Sequence, residues 1–220
     1  MDIDKRPLQQ EIYEKIKKRI ILGEYMMGQQ LVEQQLSHIF KVSRIPVRSA
    51  LSMLENEGLV VNIPYRGHFV KPLTVNDIQE IYQFRYVIEA FSAELVSESN
   101  ISLIVEQLEK SHREYCSTNL YSVLELANKD LEFHQIPIQA VNNSRLHKAW
   151  SNLQDEVMRV LCLASHPQTN DLTNVAAEHE KILLGYRNLN LTMIRDSLKE
   201  HFKQAQQRVI KQLEYIINLS

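Results

Sequence analysis

In a chain of 220 residues, one stretch alone carries a strong strand signal: "LVVNIPYRGHFVKPL", residues 59–73. Two β-rich runs flank a turn holding Pro64 and Gly67, so the stretch reads as a β-hairpin. Upstream, apolar residues repeat with helical spacing at Leu8, Ile12, Ile16 and Ile20, and "GEYMMGQQL" breaks that stripe with two glycines. A short helix is predicted over Val32–Phe40. Another follows in "KVSRIPVRSALSMLENEGLV", with Ser43 as N-cap, Pro46 in a first turn that needs no N–H there, and Gly58 to end it. Three helices followed by a hairpin predict a winged helix-turn-helix over residues 1–73.

After Pro72 no strand signal returns. Helical patterns are expected near Val75–Ser97, Ser102–Ser117, Tyr121–Val141, Ser144–Ala164, Asp171–Asn188 and Thr192–Asn218. Breaks are expected near Asn100, at Thr118–Asn119, at Asn142–Asn143, in "SHPQTN" (Ser165–Asn170) and in "NLNL" (Asn188–Leu191). Only 5 Gly and 6 Pro occur, too few for a turn-rich all-β chain. The expected fold class is mostly α: the winged helix-turn-helix, then an all-α antiparallel helical bundle over residues 74–220.

The 44% hydrophobic and 24% charged residues are ordinary for a soluble globular chain. There is no run of 18 apolar residues, so no membrane span is expected, and the charged N-terminus is not a signal peptide. Cys116 and Cys162 form no CxxC and are expected to stay reduced in a cytoplasm, as small core fillers. A net charge of −2 argues against a generic nucleic-acid binder, but the charge is uneven. Residues 1–72 carry 11 Lys+Arg against 8 Asp+Glu, leaving 14 against 19 for the rest. A basic front and an acidic back suggest different partners for the two domains.

In the helix starting at Arg44, Val47, Ala50, Leu51 and Leu54 follow the inward template, and Arg44 and Arg48 project together from the opposite side. The positive pole of the helix lies at that end. Arginine there can grip guanine bidentately in the major groove or clamp a phosphate, the alternative being two solvated charges. Arg66 and His68 flank Gly67 at the expected wing tip.

These residues carry a family resemblance. "GEYMMGQQLVEQQLSHIFKVSRIPVRSALSMLENEGLVVNIPYRGHFV" resembles the DNA-binding domain of the GntR superfamily of bacterial transcription regulators. The shared pattern is G-x-x-x-x-G-x-x-L-x-E, then V-S-R-x-P-V-R-x-A-L-x-x-L-x-x-E-G-L, then G-x-x-V. The resemblance implies that Ser43, Arg44 and Arg48 contact double-stranded operator DNA and that Gly67 and His68 sit in the wing. The chain departs from the pattern at Gln34, where the family often has Arg, and at Ile45, where Thr is usual.

In the second domain, "LANKDLEFHQI" places Asp130 and His134 one turn apart, on or beside a helix face shared by Leu124, Ala127, Leu131 and Ile138. His179 falls among Val175, Ile182, Leu183 and Tyr186, and His201 among Ile194, Leu198 and Ala205. Each could be a core histidine satisfied by a hydrogen bond. Together, one carboxylate and three imidazoles on inward faces suit a divalent transition metal such as Zn²⁺, Ni²⁺, Mn²⁺ or Fe²⁺. His38, His112, His147 and His166 show no such arrangement. Arg85 lies on a face with Ile78, Ile81, Tyr82, Ile88 and Leu95. It reads either as a buried ion pair with Glu89 or as a grip for an anionic effector. Tyr82, Tyr86 and Arg159 are further pocket candidates.

Residues from about 75 to 215 resemble the FCD ligand-binding domain of FadR-type GntR regulators, through "DLEFH", "EHEKIL" and a histidine in the last helix. That resemblance implies that Asp130, His134, His179 and His201 are metal ligands and that Arg85 contacts the effector. The expected function is a cytoplasmic, homodimeric regulator controlled by a small carboxylate at a metal site. Competing readings are a pure metal sensor, a metal-dependent hydrolase and an acyl-CoA-responsive regulator. No separate general base stands out beside the four ligands, which weighs against the hydrolase.

Overall fold

The computed structural model describes residues 7–117, 122–164 and 172–218. The chain divides into two compact units, Met1–Leu73 and Thr74–Ser220.

The first unit runs α1 (Leu8–Ile21), β1 (Gln30–Leu31), α2 (Glu33–Phe40), α3 (Arg44–Asn56), β2 (Val60–Ile63) and β3 (Gly67–Val70). Ile12, Ile16 and Ile20 of α1 join Val47, Ala50, Leu51 and Leu54 of α3 in one core, closed by Leu36, Leu59, Val60 and Val70. Gly58, at φ +74°, ends α3. Leu59 N–H bonds back to the Leu54 carbonyl and Gly58 N–H to Glu55, the paired closure that a left-handed residue after a helix allows. Ser43 is the N-cap by position, with extended backbone, but its side chain makes no capping bond.

The hairpin closes as expected, with Val60 opposite Val70 and Ile63 opposite Gly67. The sheet, however, has three strands in the order β1-β3-β2. β1 pairs Gln30 with Phe69 and Leu31 with His68, inside a stretch expected only to break α1. Two residues are too short for any alternation to register. At the turn, Arg66 N–H reaches the Ile63 carbonyl across Pro64 and Tyr65. Tyr65 sits at φ +63° and is fully exposed.

The second unit is helical throughout its described residues: α4 (Val75–Glu94), α5 (Glu98–Cys116), α6 (Val123–Ala140), α7 (Ser144–Ala164), α8 (Leu172–Arg187) and α9 (Leu191–Asn218). α9 packs on α4 and α8, α5 on α6 and α8, and α6 on α7. No helix among the described residues is long and apolar enough to cross a membrane. Capping boxes start α4 at Thr74 with Asp77 and α6 at Ser122 with Glu125. α5 begins earlier than expected, because Asn100 closes back on the Ser97 N–H at 2.8 Å instead of breaking the chain. The expected breaks at Thr118–Asn119 and Ser165–Asn170 lie outside the described residues, as does His166.

α8 and α9 approach closely at Gly185, where a Cβ would stand 2.8 Å from Ile194 Cγ1 and 3.0 Å from the Ile194 backbone nitrogen. The contact fixes the pair of helices that carry His179 and His201. The buried face of α6 is Leu126, Ala127, Asp130, Phe133, His134, Pro137 and Ile138. It is turned slightly from the expected one, leaving Leu124 and Leu131 only half-buried. Asp130 and His134 are therefore central to the inward face.

Candidate metal centre and nucleic-acid interface

Asp130 and His134 of α6, His179 of α8 and His201 of α9 are all buried, and one ligand atom from each lies within 4.8 Å of the others. The sequence spacing could align Asp130 with His134, but only the packing of three helices brings the other two imidazoles to them. His179 Nε2 is 3.3 Å from Asp130 Oδ1, and its ring stacks on Phe133 at 4.4 Å between centroids. His179 Nδ1 has no hydrogen-bond partner among the described residues, and Nε2 has only the Asp130 carboxylate beside it, in a geometry too poor for a well-formed hydrogen bond. An imidazole 0% exposed whose nitrogens are held no better than this is a costly arrangement unless something else engages Nε2.

Two glutamates that the sequence reading did not single out as part of the centre complete it. Glu89 Oε2 lies 2.6 Å from His134 Nδ1, and Glu178 Oε2 lies 2.7 Å from His201 Nδ1. With Nδ1 of both rings engaged, their Nε2 atoms face each other at 3.1 Å. This is the arrangement in which a carboxylate orients a metal-binding imidazole and raises its basicity. Glu89 was legible only as an ion-pair partner of Arg85, and Glu178 only as a neighbour of His179. Both carboxylates are held by histidine and arginine, so neither stands as a free general base.

Arg85, 0% exposed, forms the buried ion pair with Glu89 that its i, i+4 spacing offered. Its Nε donates to Glu89 Oε1 at 2.8 Å and its Nη2 to Asp130 Oδ2 at 3.1 Å. Its Nη1 has no partner among the described residues, and neither does the buried Tyr82 hydroxyl. Both residues line a cavity of about 40 Å³ together with Asp130, His201, Tyr115 and Arg208. Arg208, seven residues beyond His201, holds Glu178 through two bonds of 2.7 and 2.8 Å. Tyr86 is half-buried and Arg159 is buried, and neither lines this cavity. Leu95, expected on the inward face with Arg85, is 40% exposed just past the end of α4.

The electrostatics follow from this packing. Burial opposes charge on Asp130, but Arg85 foremost, then His134 and His179, hold its carboxyl well below the usual range. Burial opposes the Glu178 charge as well, yet the Arg208 and His201 hydrogen bonds bring it down to about 2. For Glu89 burial outweighs Arg85 and pushes the carboxyl up to about 7. Burial drives His134 well below its ordinary value and His201 down to about 3, so both rings are neutral.

Among the other histidines, His38 is exposed. His112 Nε2 lies 3.1 Å from Glu180, and His147 Nε2 lies 2.8 Å from the Val141 carbonyl. Both cysteines are free; Cys162 is buried, whereas Cys116 is exposed and fills no core.

On the first unit, Ser43, Arg44, Ile45 and Arg48 are exposed along α3, Ile45 by 76%. Arg48 donates to both carboxylate oxygens of Glu33 at 2.9 and 2.8 Å, which aims its guanidinium from α3 toward the start of α2. In the wing, Arg66 is exposed, its guanidinium 5.4 Å from the Phe69 ring centroid. His68 is not at an open tip. Strand alternation puts it on the buried side with Val70, with Nε2 3.8 Å from Glu55 of α3. Gly67, at φ +89°, takes a left-handed backbone beside it.

Comparison with known proteins agrees with this architecture. Residues 8–70 match the family described as bacterial regulatory proteins, gntR family, and residues 80–204 match the FCD domain. The chain is 27% identical over 199 residues to the gluconate operon transcriptional repressor of Bacillus licheniformis, covering 88% of this chain and 82% of that protein. It is 26% identical over 159 residues to the HTH-type transcriptional repressor RspR of Escherichia coli K12, covering 70% of this chain and 68% of that one. In fold it is similar to a GntR transcriptional regulator from Rhodococcus sp. RHA1, with TM-score 0.69 and 20% identity over 92% of this chain and 97% of the other. Family and relatives alike are transcription regulators and not enzymes. The chain therefore belongs to the GntR family of bacterial regulatory proteins, a DNA-binding transcription regulator with an FCD domain as its second unit.

Proposed function

We propose that the FCD unit holds one divalent transition ion, of the Zn²⁺, Ni²⁺, Mn²⁺ or Fe²⁺ class, on Asp130, His134, His179 and His201. A small carboxylate binds beside it, and occupancy of the site controls operator binding by a homodimer. The observation that carries the reading is the pair of Nε2 atoms facing each other at 3.1 Å while both Nδ1 atoms are engaged by glutamates. His179 Nε2, buried beside Asp130 Oδ1 at 3.3 Å without a well-formed hydrogen bond, supports it independently. Three imidazoles and one carboxylate are a donor set for such ions, and a bound ion supplies open positions for carboxylate oxygens.

Charge supports the effector class. Asp130, Glu89 and Glu178 face the two guanidiniums of Arg85 and Arg208, one negative charge in excess when all three carboxyls are ionised. A divalent ion reverses the sign, and a single carboxylate then restores neutrality, the least costly state for a buried cluster. Arg85 Nη1 and the Tyr82 hydroxyl are donors in the cavity wall with no partner among the described residues. Tyr86 and Arg159 remain candidates for a larger ligand only.

Arg44, Arg48, Ser43 and Ile45 would face the major groove, with Arg66 and Gly67 reaching DNA from the wing and His68 bracing it through Glu55. A homodimer suits a palindromic operator. Phe84, Val87 and Phe91 on the outer side of α4, with Leu95 just past its end, are all exposed by 40–58% and supply an apolar stripe for such an interface. Relatives named as repressors support repression, relieved by the effector, and a DNA partner implies the cytoplasm. The small volume of the cavity favours, as a second reading, metal alone as the signal.

The test is fluorescence anisotropy with an operator duplex selected from random sequence. Metal-loaded and metal-stripped protein are titrated with a panel of small carboxylates that includes gluconate. The proposal expects one carboxylate to shift operator affinity in the loaded protein only. A response to metal with none to any acid would establish the second reading, and no response to either would remove the centre from regulation.

A further inference from the structure

Two chains of hydrogen bonds of the same composition run from the cavity wall to the proposed metal ligands. In one, Arg85 holds Glu89 at 2.8 Å, and Glu89 meets His134 Nδ1 at 2.6 Å. In the other, Arg208 holds Glu178 at 2.7 and 2.8 Å, and Glu178 meets His201 Nδ1 at 2.7 Å. Both arginines line the cavity. They differ in freedom. Arg85 is 0% exposed, also grips Asp130, and lies 4.7 Å from the Phe202 ring centroid. The Arg208 side chain is 21% exposed, and among the described residues its hydrogen bonds go to Glu178 alone.

We propose that Arg208 couples the two ligands of the site: a carboxylate in the cavity draws Arg208 from Glu178, and the released Glu178 strengthens His201 as a metal ligand. The inference rests on the metal reading above. A carboxylate engaged by both nitrogens of a guanidinium is largely neutralised and a weak acceptor. Freed, it polarises the Nδ1–H of His201 more strongly and raises the electron density at Nε2, where the ion binds. Anion and metal then tighten each other, and by thermodynamic linkage the effect is the same in either order. Arg208 serves as the moving arm because it already reaches solvent, whereas moving Arg85 would strand Asp130 and Glu89 together.

The test uses the full-length chain stripped of metal and titrated with Co²⁺, whose visible ligand-field bands report coordination. Acetate is the anion probe and acetamide its neutral control. In wild type, acetate should tighten Co²⁺ binding by roughly 5- to 50-fold and acetamide should not. Arg208→Met should bind Co²⁺ without acetate at least as tightly as wild type and lose most of the acetate effect, while Arg208→Lys should recover part of it. Glu178→Gln should bind Co²⁺ on the order of 10–100-fold more weakly and ignore acetate. A structural role alone would instead weaken Co²⁺ binding in Arg208→Met. That result, or an acetate effect equal in wild type and Arg208→Met, would overturn the proposal while leaving the metal reading intact. Wild-type protein that takes up no Co²⁺ would overturn both.

Discussion

His134 and His201 present their Nε2 atoms to each other at 3.1 Å, each ring anchored behind by a glutamate on Nδ1. With both Nδ1 atoms donating to glutamates, two Nε2 lone pairs face each other, a repulsion that an ion or one added proton relieves. Burial pushes Glu89 up to about 7, so near neutrality the Glu89–His134 pair can carry that proton and present an N–H to His201. An incoming ion must displace it.

Metal uptake should therefore release roughly one proton at pH 6.5 and much less at pH 8.5, and affinity should fall as pH drops through about 7. The sign follows from competition, since the metal-free form binds the extra proton. Burial holds His201 at about 3 and His134 well below its ordinary value, so neither ring takes a further proton in this window. Calorimetry in buffers of different ionisation enthalpy measures the count. Zero release at pH 6.5 would show that no proton occupies the gap.

Arg85→Met should destabilise the FCD unit by about 3–5 kcal/mol in metal-free protein, because it leaves the buried Glu89 and Asp130 carboxylates without their cation. Metal should recover part of the loss, since the ion also compensates Asp130. The same variant should lose its response to the carboxylate. Chemical denaturation reads the first effect, and a loss under about 1 kcal/mol would mean that other groups carry the compensation.

Arg44→Ala and Arg48→Ala should each weaken operator binding by about 1–3 kcal/mol. Binding should also fall steeply with salt. Arg48 would have to exchange the Glu33 carboxylate for DNA, so Glu33→Gln should alter affinity in a way that vanishes in the Arg48→Ala background. Gel-shift titrations that give both arginine variants wild-type affinity would remove α3 from the groove.

Much of this architecture was legible in the sequence. Ser144–Ala164 is an amphipathic helix bounded as the pattern predicts, and Gly58 ends α3 where only a left-handed residue fits well. Three things were hidden for physical reasons. β1 is two residues long and exists only through β3. Asn100 reads as a breaker in isolation, but as a cap once Ser97 precedes it by three. Glu178 looks like the partner of its neighbour His179, yet successive helical residues point about 100° apart, and it serves His201 on another helix. Arg208 did leave a signal, since His201, Ala205 and Arg208 share one face at i, i+4 and i+7. What spacing cannot supply is distance between helices, so the Nε2 pair could only come from the packed bundle.

Phe91→Glu should convert the proposed dimer to monomer and weaken operator binding, by placing a charge in the α4 stripe. Sedimentation velocity follows the change. A variant that remains dimeric would move the interface to another face.

The central claim is that Asp130, His134, His179 and His201 hold one ion, and the most direct measurement is metal content with thermal stability across loading. Metal-free wild type should take up about one equivalent per chain of Zn²⁺, Ni²⁺ or Mn²⁺ and melt at a higher temperature, because the ion binds only the folded state. His134→Ala and His179→Ala should do neither. Wild-type protein that binds no ion under these conditions, with an unchanged melting temperature, would contradict the account and leave the four residues as a hydrogen-bonded polar core.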